Sequence, residues 1–296
     1  MRKVSRMRRF EEKKKSLLYA VGLAIIMIIA GILCHPVLYL NDDITMRSIL
    51  SGAYTGTPDG HAVYMQYPLT GLLALCYRLV PKISWMELFY AGCLWGCMCL
   101  ITGQFSDKLM GSLISIAFFL PFYVYMHYTI VAALIAGCAV FLLCRGEKRV
   151  TPLVLLWIAY MIRGQVGLLA LPFVLAALVW RCLENAKDNL KQRIFEGTWQ
   201  AGVLVIGMMV ISGLNALCYD SDEWKEYQSY NDSRTQLYDY TNFLSTDLYA
   251  KEYASYGMTK EEYQLLFSYN TMLEKNPDAG RMQEIADSVT AVMHEY

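Results

Sequence analysis

The chain of 296 residues is 56% hydrophobic, 13% aromatic and 18% charged, with nine cysteines and a mean hydropathy of +0.30. That composition excludes an ordinary soluble domain and points to a polytopic membrane protein. The formal net charge of zero excludes an overall basic nucleic-acid binder, so no nucleic-acid partner is expected, and it conceals a basic beginning and an acidic end.

The opening MRKVSRMRRFEEKKK carries eight Lys or Arg against two Glu, and an uncharged run over 16–34 follows directly. Such a run is about long enough to cross a hydrocarbon core of ~30 Å at 1.5 Å per residue. A cleaved signal peptide fits poorly, because the run is too long and no A-x-A site follows. The tendency of Lys and Arg to stay inside therefore predicts an uncleaved anchor with residues 1–15 in the cytoplasm.

The stretch NDDITMRSILSG leaves this anchor with two adjacent aspartates. Asn41 or Asp42 can cap a short helix over 43–51 that ends at Gly52. Asp43 and Arg47 then stand at i and i+4 on one face. A capping carboxylate and one helical ion pair together contribute about 1 to 2 kcal/mol, yet capping needs only one carboxylate. An aspartate at the outer membrane surface can act as a general base on a sugar hydroxyl, or bind a divalent cation. Asp42 and Asp43 are thus the candidate catalytic residues, and a divalent cation is the one candidate cofactor.

In the loop TGTPDGHAVYMQYP, Thr57-Pro58-Asp59-Gly60 is a favourable turn, and His61 after it is a candidate for substrate or metal binding. Tyr54, Tyr64 and Tyr67 read as interfacial belt residues. The next segment, 68–80, is short, begins with proline and carries Arg78 near its end. Segments of that length are more often interfacial than spanning.

Further apolar segments occupy 84–103, 109–126, 129–144, 152–162, 166–180 and 198–217. If 68–80 also crossed, Arg145, Lys148 and Arg149 would emerge outside, against the positive-inside tendency. With 68–80 left at the interface, Asp107 and Lys108 form a cytoplasmic turn, while His127 and Tyr128 form an outer one. The basic stretches 145–149 and 181–193 then lie in the cytoplasm, and Arg163 lies outside. The two short segments flanking Arg163 are expected to form a shallow helical hairpin, which implies a cavity beside it. An arginine between WIAYMI and VGLLAL is costly in lipid, so it either snorkels to headgroups or faces a cavity or a phosphate. The cysteines lie almost all in or beside apolar runs without zinc spacing, and read as small core or lipid-phase residues.

From 219 onward there are fifteen acidic and six basic residues, with Tyr227, Tyr230, Leu237 and Tyr238 roughly at helical spacing. Two or three short helices are predicted, with Ser221 as an N-cap and breaks at Gly257 and 276–280. Within YNDSRTQLYDY, Arg234 and Asp239 are secondary candidates, and Asn231-Asp232-Ser233 matches a glycosylation sequon. The fold class is all-α: a polytopic transmembrane bundle of about seven spans, two of them short. An interfacial helix and a small extracytoplasmic helical segment complete it, giving parts at 1–15, 16–218 with its outer loop 41–82, and 219–296.

This order of basic tail, span, acidic outer loop, proline-led interfacial helix and paired spans resembles the N-terminal part of the GT-C class of integral-membrane glycosyltransferases. NDDITMRSILSGAYTGTPDGH and YNDSRTQLYDY are similar to stretches of multi-spanning bacterial membrane proteins. The resemblance implies a polyprenyl-phosphate-linked sugar used on the outer face, with Asp42 or Asp43 as base. Besides this donor the expected partner is membrane lipid, and the candidate substrate-binding residues are Arg47, His61, His127, Arg163 and Arg234. A non-catalytic protein that binds a lipid-linked glycan or a partner is the alternative. A transporter ranks last, because the middles of the spans are almost free of charge.

Overall fold

The computed structural model describes residues 2–146, 150–184 and 190–236, with scattered positions from 251 to 290; over 2–13 it describes the backbone alone. The chain divides into two units, Met1–Ala216 and Leu217–Tyr296.

The first unit is helical. Helix α1, Arg2–Cys34, carries the basic opening straight into the apolar anchor. It stops at His35, whose φ of +48° no helix accepts. Extended backbone follows, and β1, Val37–Leu38, pairs in parallel with β2, Tyr125–Met126. The Tyr39 N–H prolongs this bridge by donating to the Met126 carbonyl at 2.9 Å. Helix α2, Asn41–Ser51, ends at Gly52 with φ +79°, the left-handed cap that glycine adopts without a Cβ clash.

Helix α3, Tyr67–Leu79, has only 13 residues and starts with Pro68 in its first turn, where a missing N–H costs nothing. Then come α4, Trp85–Gln104; α5, Lys108–Val124; α6, Tyr128–Cys144; α7, Thr151–Ile162; α8, Gly164–Glu184; and α9, Leu190–Cys218. Two helices make the centre. Helix α4 packs on α1, α5 and α6, and α6 packs in turn on α7 and α8. Tyr90, Leu94 and Met98 of α4 and Val131, Ile135 and Leu142 of α6 are fully buried. Leu33, Leu169, Phe173 and Met209 point outward, an arrangement unfavourable in water and ordinary in hydrocarbon.

Four helical segments are long and apolar enough to cross a membrane: Lys14–Cys34, Trp85–Gln104, Gly164–Glu184 and Leu190–Cys218. Lys108–Val124, Tyr128–Cys144 and Thr151–Ile162 are apolar but shorter. One expectation changes here. Of the two short segments flanking Arg163, α7 keeps 12 residues but α8 has 21. The apolar run closes at Arg181, whereas backbone hydrogen bonding continues through it for another turn. The α7–α8 junction is tight because Gly167 lies against Tyr160: a Cβ there would come within 2.9 Å of the Tyr160 Cα.

At the far end from this junction, Asp107 caps α5 by accepting from the Leu109 and Met110 N–H groups. Lys108 donates to the Gly103 and Phe105 carbonyls at 2.7 and 2.6 Å, which neutralises the carbonyl end of α4.

In the second unit, α10 spans Asp222–Thr235, and Ser221 caps it as its sequence position predicts, accepting from the Trp224 N–H. Asn231, the first residue of the sequon, is buried and accepts from Arg234 at 3.0 Å. Leu237, Tyr238, Asp239 and Gly257 lie outside the described residues, as do Lys148 and Arg149.

Candidate functional site

The aspartate pair sits in the first turn of α2, where the helix dipole favours negative charge. Neither Asn41 nor Asp42 caps α2: its N-cap is Leu40, with no side-chain hydrogen bond. The helix begins two residues earlier than the expected 43, so Asp43 turns into the bundle and Asp42 stays half-exposed.

Asp43 caps a different helix. Its Oδ1 accepts the Tyr128 N–H at 3.0 Å, and that N–H is among the unpaired donors at the start of α6. The β1–β2 bridge makes this contact across 85 residues by holding the start of α2 beside the end of α5. His127 caps α6 as well, accepting the Thr129 N–H on Nδ1 at 3.1 Å. With Nδ1 an acceptor, the neutral ring carries its proton on Nε2, a tautomer assigned from the hydrogen-bond pattern. Nδ1 lies 3.7 Å from Asp43 Oδ2, too far for a hydrogen bond.

Asp43 is 0% exposed, and its Oδ2 has no hydrogen-bond partner among the described residues. Burial pushes this carboxyl from its usual 3.8 up to about 7; the Tyr128 N–H opposes the rise and the charge of Asp42 adds to it. His127 is held below the usual imidazole range, chiefly by burial, with Asp42 opposing and Arg163 reinforcing.

Arg163 stands in extended backbone between α7 and α8. Its Nη1 donates to the Tyr128 hydroxyl at 2.6 Å, and its guanidinium lies 5.0 Å from the Tyr128 ring centre and 5.7 Å from that of Tyr64. This is cation–π distance to two rings. Tyr64 is presented by a strained three-residue turn: its N–H bonds the Ala62 carbonyl at 2.6 Å, and Val63 between them has φ +51°. The Gln66 N–H ties the same loop to the Met161 carbonyl at 2.8 Å. Its side-chain Oε1 is buried without a partner among the described residues, while Nε2 borders Gly164.

The remaining candidates go elsewhere. Arg47 does not pair with Asp43. It reaches Glu87 of α4 at 3.0 Å, because Asp43 is drawn toward α6 while Arg47, a turn later, faces α4. His61 Nδ1 lies 2.6 Å from Asp59 Oδ1, and its ring packs on Tyr67 at 4.8 Å. Burial acts to raise the Asp59 carboxyl, but hydrogen bonds from His61 hold it below its usual range. Arg78 clasps the Pro58 carbonyl with Nε and Nη2, so it shapes the loop. Arg234 belongs to the second unit.

The structure therefore gathers Asp43, His127 and Arg163, with Asp42 acting through its charge, and adds Tyr128, Tyr64 and Gln66. Tyr64 was legible only as one aromatic among several, and Gln66 only as the polar residue before a proline-led helix. Among the described residues, no group of three His, Cys, Asp or Glu side chains converges to hold a metal ion.

These features define a helical membrane protein with a buried carboxyl and an aromatic-flanked arginine at one end of its bundle. No protein-family model matches the sequence, and no curated protein or solved structure matches it.

Proposed function

We propose that the protein is a GT-C-like membrane glycosyltransferase that moves a sugar from a polyprenyl-phosphate donor to an envelope glycan or another acceptor at the extracytoplasmic face. The observation that carries this reading is Asp43: a carboxyl whose proton affinity lies near neutrality, with one oxygen held and the other unpartnered among the described residues. Such a group suits general-base work. Asp43 Oδ2 takes the proton of the acceptor hydroxyl while Oδ1 keeps the Tyr128 N–H. The acceptor oxygen bonds to the anomeric carbon, the bond from that carbon to the phosphate oxygen breaks, and polyprenyl phosphate leaves with the electron pair. Arg163 offsets the charge on that phosphate.

In this reading about seven helices cross. Helix α3 lies at the interface, the N-terminus is cytoplasmic, and the second unit is extracytoplasmic. The test is sugar transfer by purified protein from a polyprenyl-phosphate sugar. Asp43→Asn should lower the rate by a factor of about 100 or more, and Asp42→Asn by much less. Undiminished transfer by Asp43→Asn would exclude the assignment. The complete enclosure of Asp43 favours a second reading, a non-catalytic protein that binds the lipid-linked glycan. That reading expects donor binding with no turnover under any acceptor.

A further inference from the structure

Two apolar hollows run along α6 from the end where Asp43 and Arg163 lie. The larger, about 560 Å³, opens between α5 and α6, because α5 packs on α1 and α4 and barely touches the helix that follows it. It extends from Thr129 and Ile130 to Phe105 and Phe141, with Ile114 and Phe118 on its α5 wall. The smaller, about 400 Å³, lies between α6 and α8, from Ala133 to Val140 on one side and from Val166 to Phe173 on the other. Ala133 and Gly137 border both, and a Cβ on Gly137 would meet nothing within 4 Å. The upper ends of the hollows differ. The α5–α6 hollow starts at Thr129, whose neighbour Tyr128 gives its N–H to Asp43. The α6–α8 hollow starts at Val166, in the first turn of the helix that follows Arg163.

We infer that the sugar acceptor is itself a lipid, a hydrocarbon chain with a free hydroxyl on its head group, and that its chain occupies the α5–α6 hollow. The inference rests on the reading of Asp43 as base and Arg163 as partner of the leaving phosphate, and it names the acceptor class. Width decides what the hollow takes. Thr129 to Phe141 spans about 18 Å along the helix, so 560 Å³ leaves a cross-section of roughly 30 Å². A helix of about 10 Å diameter needs roughly 80 Å². A helix from another chain therefore does not fit, and a single hydrocarbon chain does. The lining is chiefly apolar, with Ser115 and Thr129 supplying its hydroxyls, so it matches hydrocarbon along its length. The donor has a place of its own. A phosphate at Arg163 sets its polyprenyl tail over Val166 and down the α6–α8 hollow. The two substrates then lie side by side along α6, each with its reacting head at the same end. A chain seated beside Thr129 holds its hydroxyl near Asp43 at high effective concentration. Asp43 takes the hydroxyl proton, the lipid oxygen bonds to the anomeric carbon, and polyprenyl phosphate leaves with the electron pair. The product is a glycosylated lipid.

The test is photocrosslinking of the full chain in lipid nanodiscs, with a mid-chain diazirine on hexadecyl glucoside and, separately, on polyprenyl phosphate. The glucoside should label α5 and α6 saturably between Ile114 and Phe141. Plain hexadecyl glucoside should compete with it, whereas methyl glucoside and polyprenyl phosphate should not. The polyprenyl phosphate probe should label α8 instead. Ile114→Trp should lower glucoside labelling about tenfold, as expected when a bulky ring overfills the space, and leave polyprenyl phosphate labelling intact. Val166→Trp should do the reverse. Competition in the unsubstituted protein decides the matter if either variant fails to fold. Displacement of the glucoside by polyprenyl phosphate would overturn the inference, giving the α5–α6 hollow to the donor and leaving the proposed reaction in place. Equal competition by methyl glucoside would also overturn it, since the head alone would then bind. Labelling that never saturates would reduce both hollows to ordinary lipid contact. Saturable glucoside labelling with no polyprenyl phosphate labelling at any site would remove the donor, and with it the transfer reaction, while keeping the lipid site.

Discussion

Asp43 behaves as two residues would. One oxygen is structural, closing the start of α6 through the Tyr128 N–H, and the other is buried without a partner among the described residues. Because its folded-state pKa is raised from 3.8 to about 7, the folded protein binds more protons than the unfolded chain between those values. Stability contributed through Asp43 therefore rises as pH falls from about 7 toward about 4, and is constant below that. His127, held low by burial, acts in the opposite sense below its ordinary range, so the informative quantity is a difference. Melting temperatures in detergent should show wild type gaining on Asp43→Asn as pH is lowered from about 8 to about 6. A gap that stays constant, or widens in the other direction, would contradict the assignment. Arg163→Lys keeps the charge but loses the planar group between Tyr64 and Tyr128. It should weaken donor binding about tenfold, measured as the donor Kd, if about 1.4 kcal/mol of that contact is specific to guanidinium. The sequence made the aspartate pair conspicuous but could not say which member turns inward, since that depends on an N–H contributed by Tyr128.

Among the elements, those announced by local chemistry were legible and those made by distant pairing were not. Gly52, Pro68 and Ser221 mark their helix ends by backbone preferences that act within a few residues. The β1–β2 bridge joins two-residue segments with no periodicity to detect. His127 drew attention as an outer-turn residue, but its capping of α6 depends on a rotamer that sequence does not specify. Glycine gives an element-scale test with two signs. Gly167→Ala sets a methyl against the Tyr160 backbone and should destabilise by about 1–3 kcal/mol through separation of α7 and α8. Gly213→Ala in α9 meets nothing within 4 Å and should stabilise by up to about 1 kcal/mol from helix propensity. Thermal unfolding of the two variants in one detergent distinguishes them, and equal shifts would refute the close approach at Gly167.

Across the first unit, the named side chains fall into two groups, one at each end, and each end carries both signs of charge. Asp43, His127 and Arg163 gather at one, and Lys108, Arg145, Arg181 and Arg193 at the other. Counting positive loops in the sequence placed the same residues in the same two groups, because a rule about short loops needs no knowledge of packing. What it could not supply was helix length, as α8 shows. The proposed topology expects Thr55→Cys to react with a membrane-impermeant maleimide in intact cells, and Ser106→Cys to react only after permeabilisation, each in a background without the native cysteines. Labelling of Ser106→Cys from outside would invert the arrangement.

The bond between Asp43 and Tyr128 also orders events in time. Eighty-five residues separate the carboxylate from its donor, and at roughly 5–20 residues per second of synthesis that interval is on the order of ten seconds. Until Tyr128 is made, a newborn α1–α2 segment holds an acidic group with no protein partner, and that group stays hydrated or protonated. The anchor is thus inserted before its adjoining loop can settle, and the first outer loop becomes permanent only once α6 is in place.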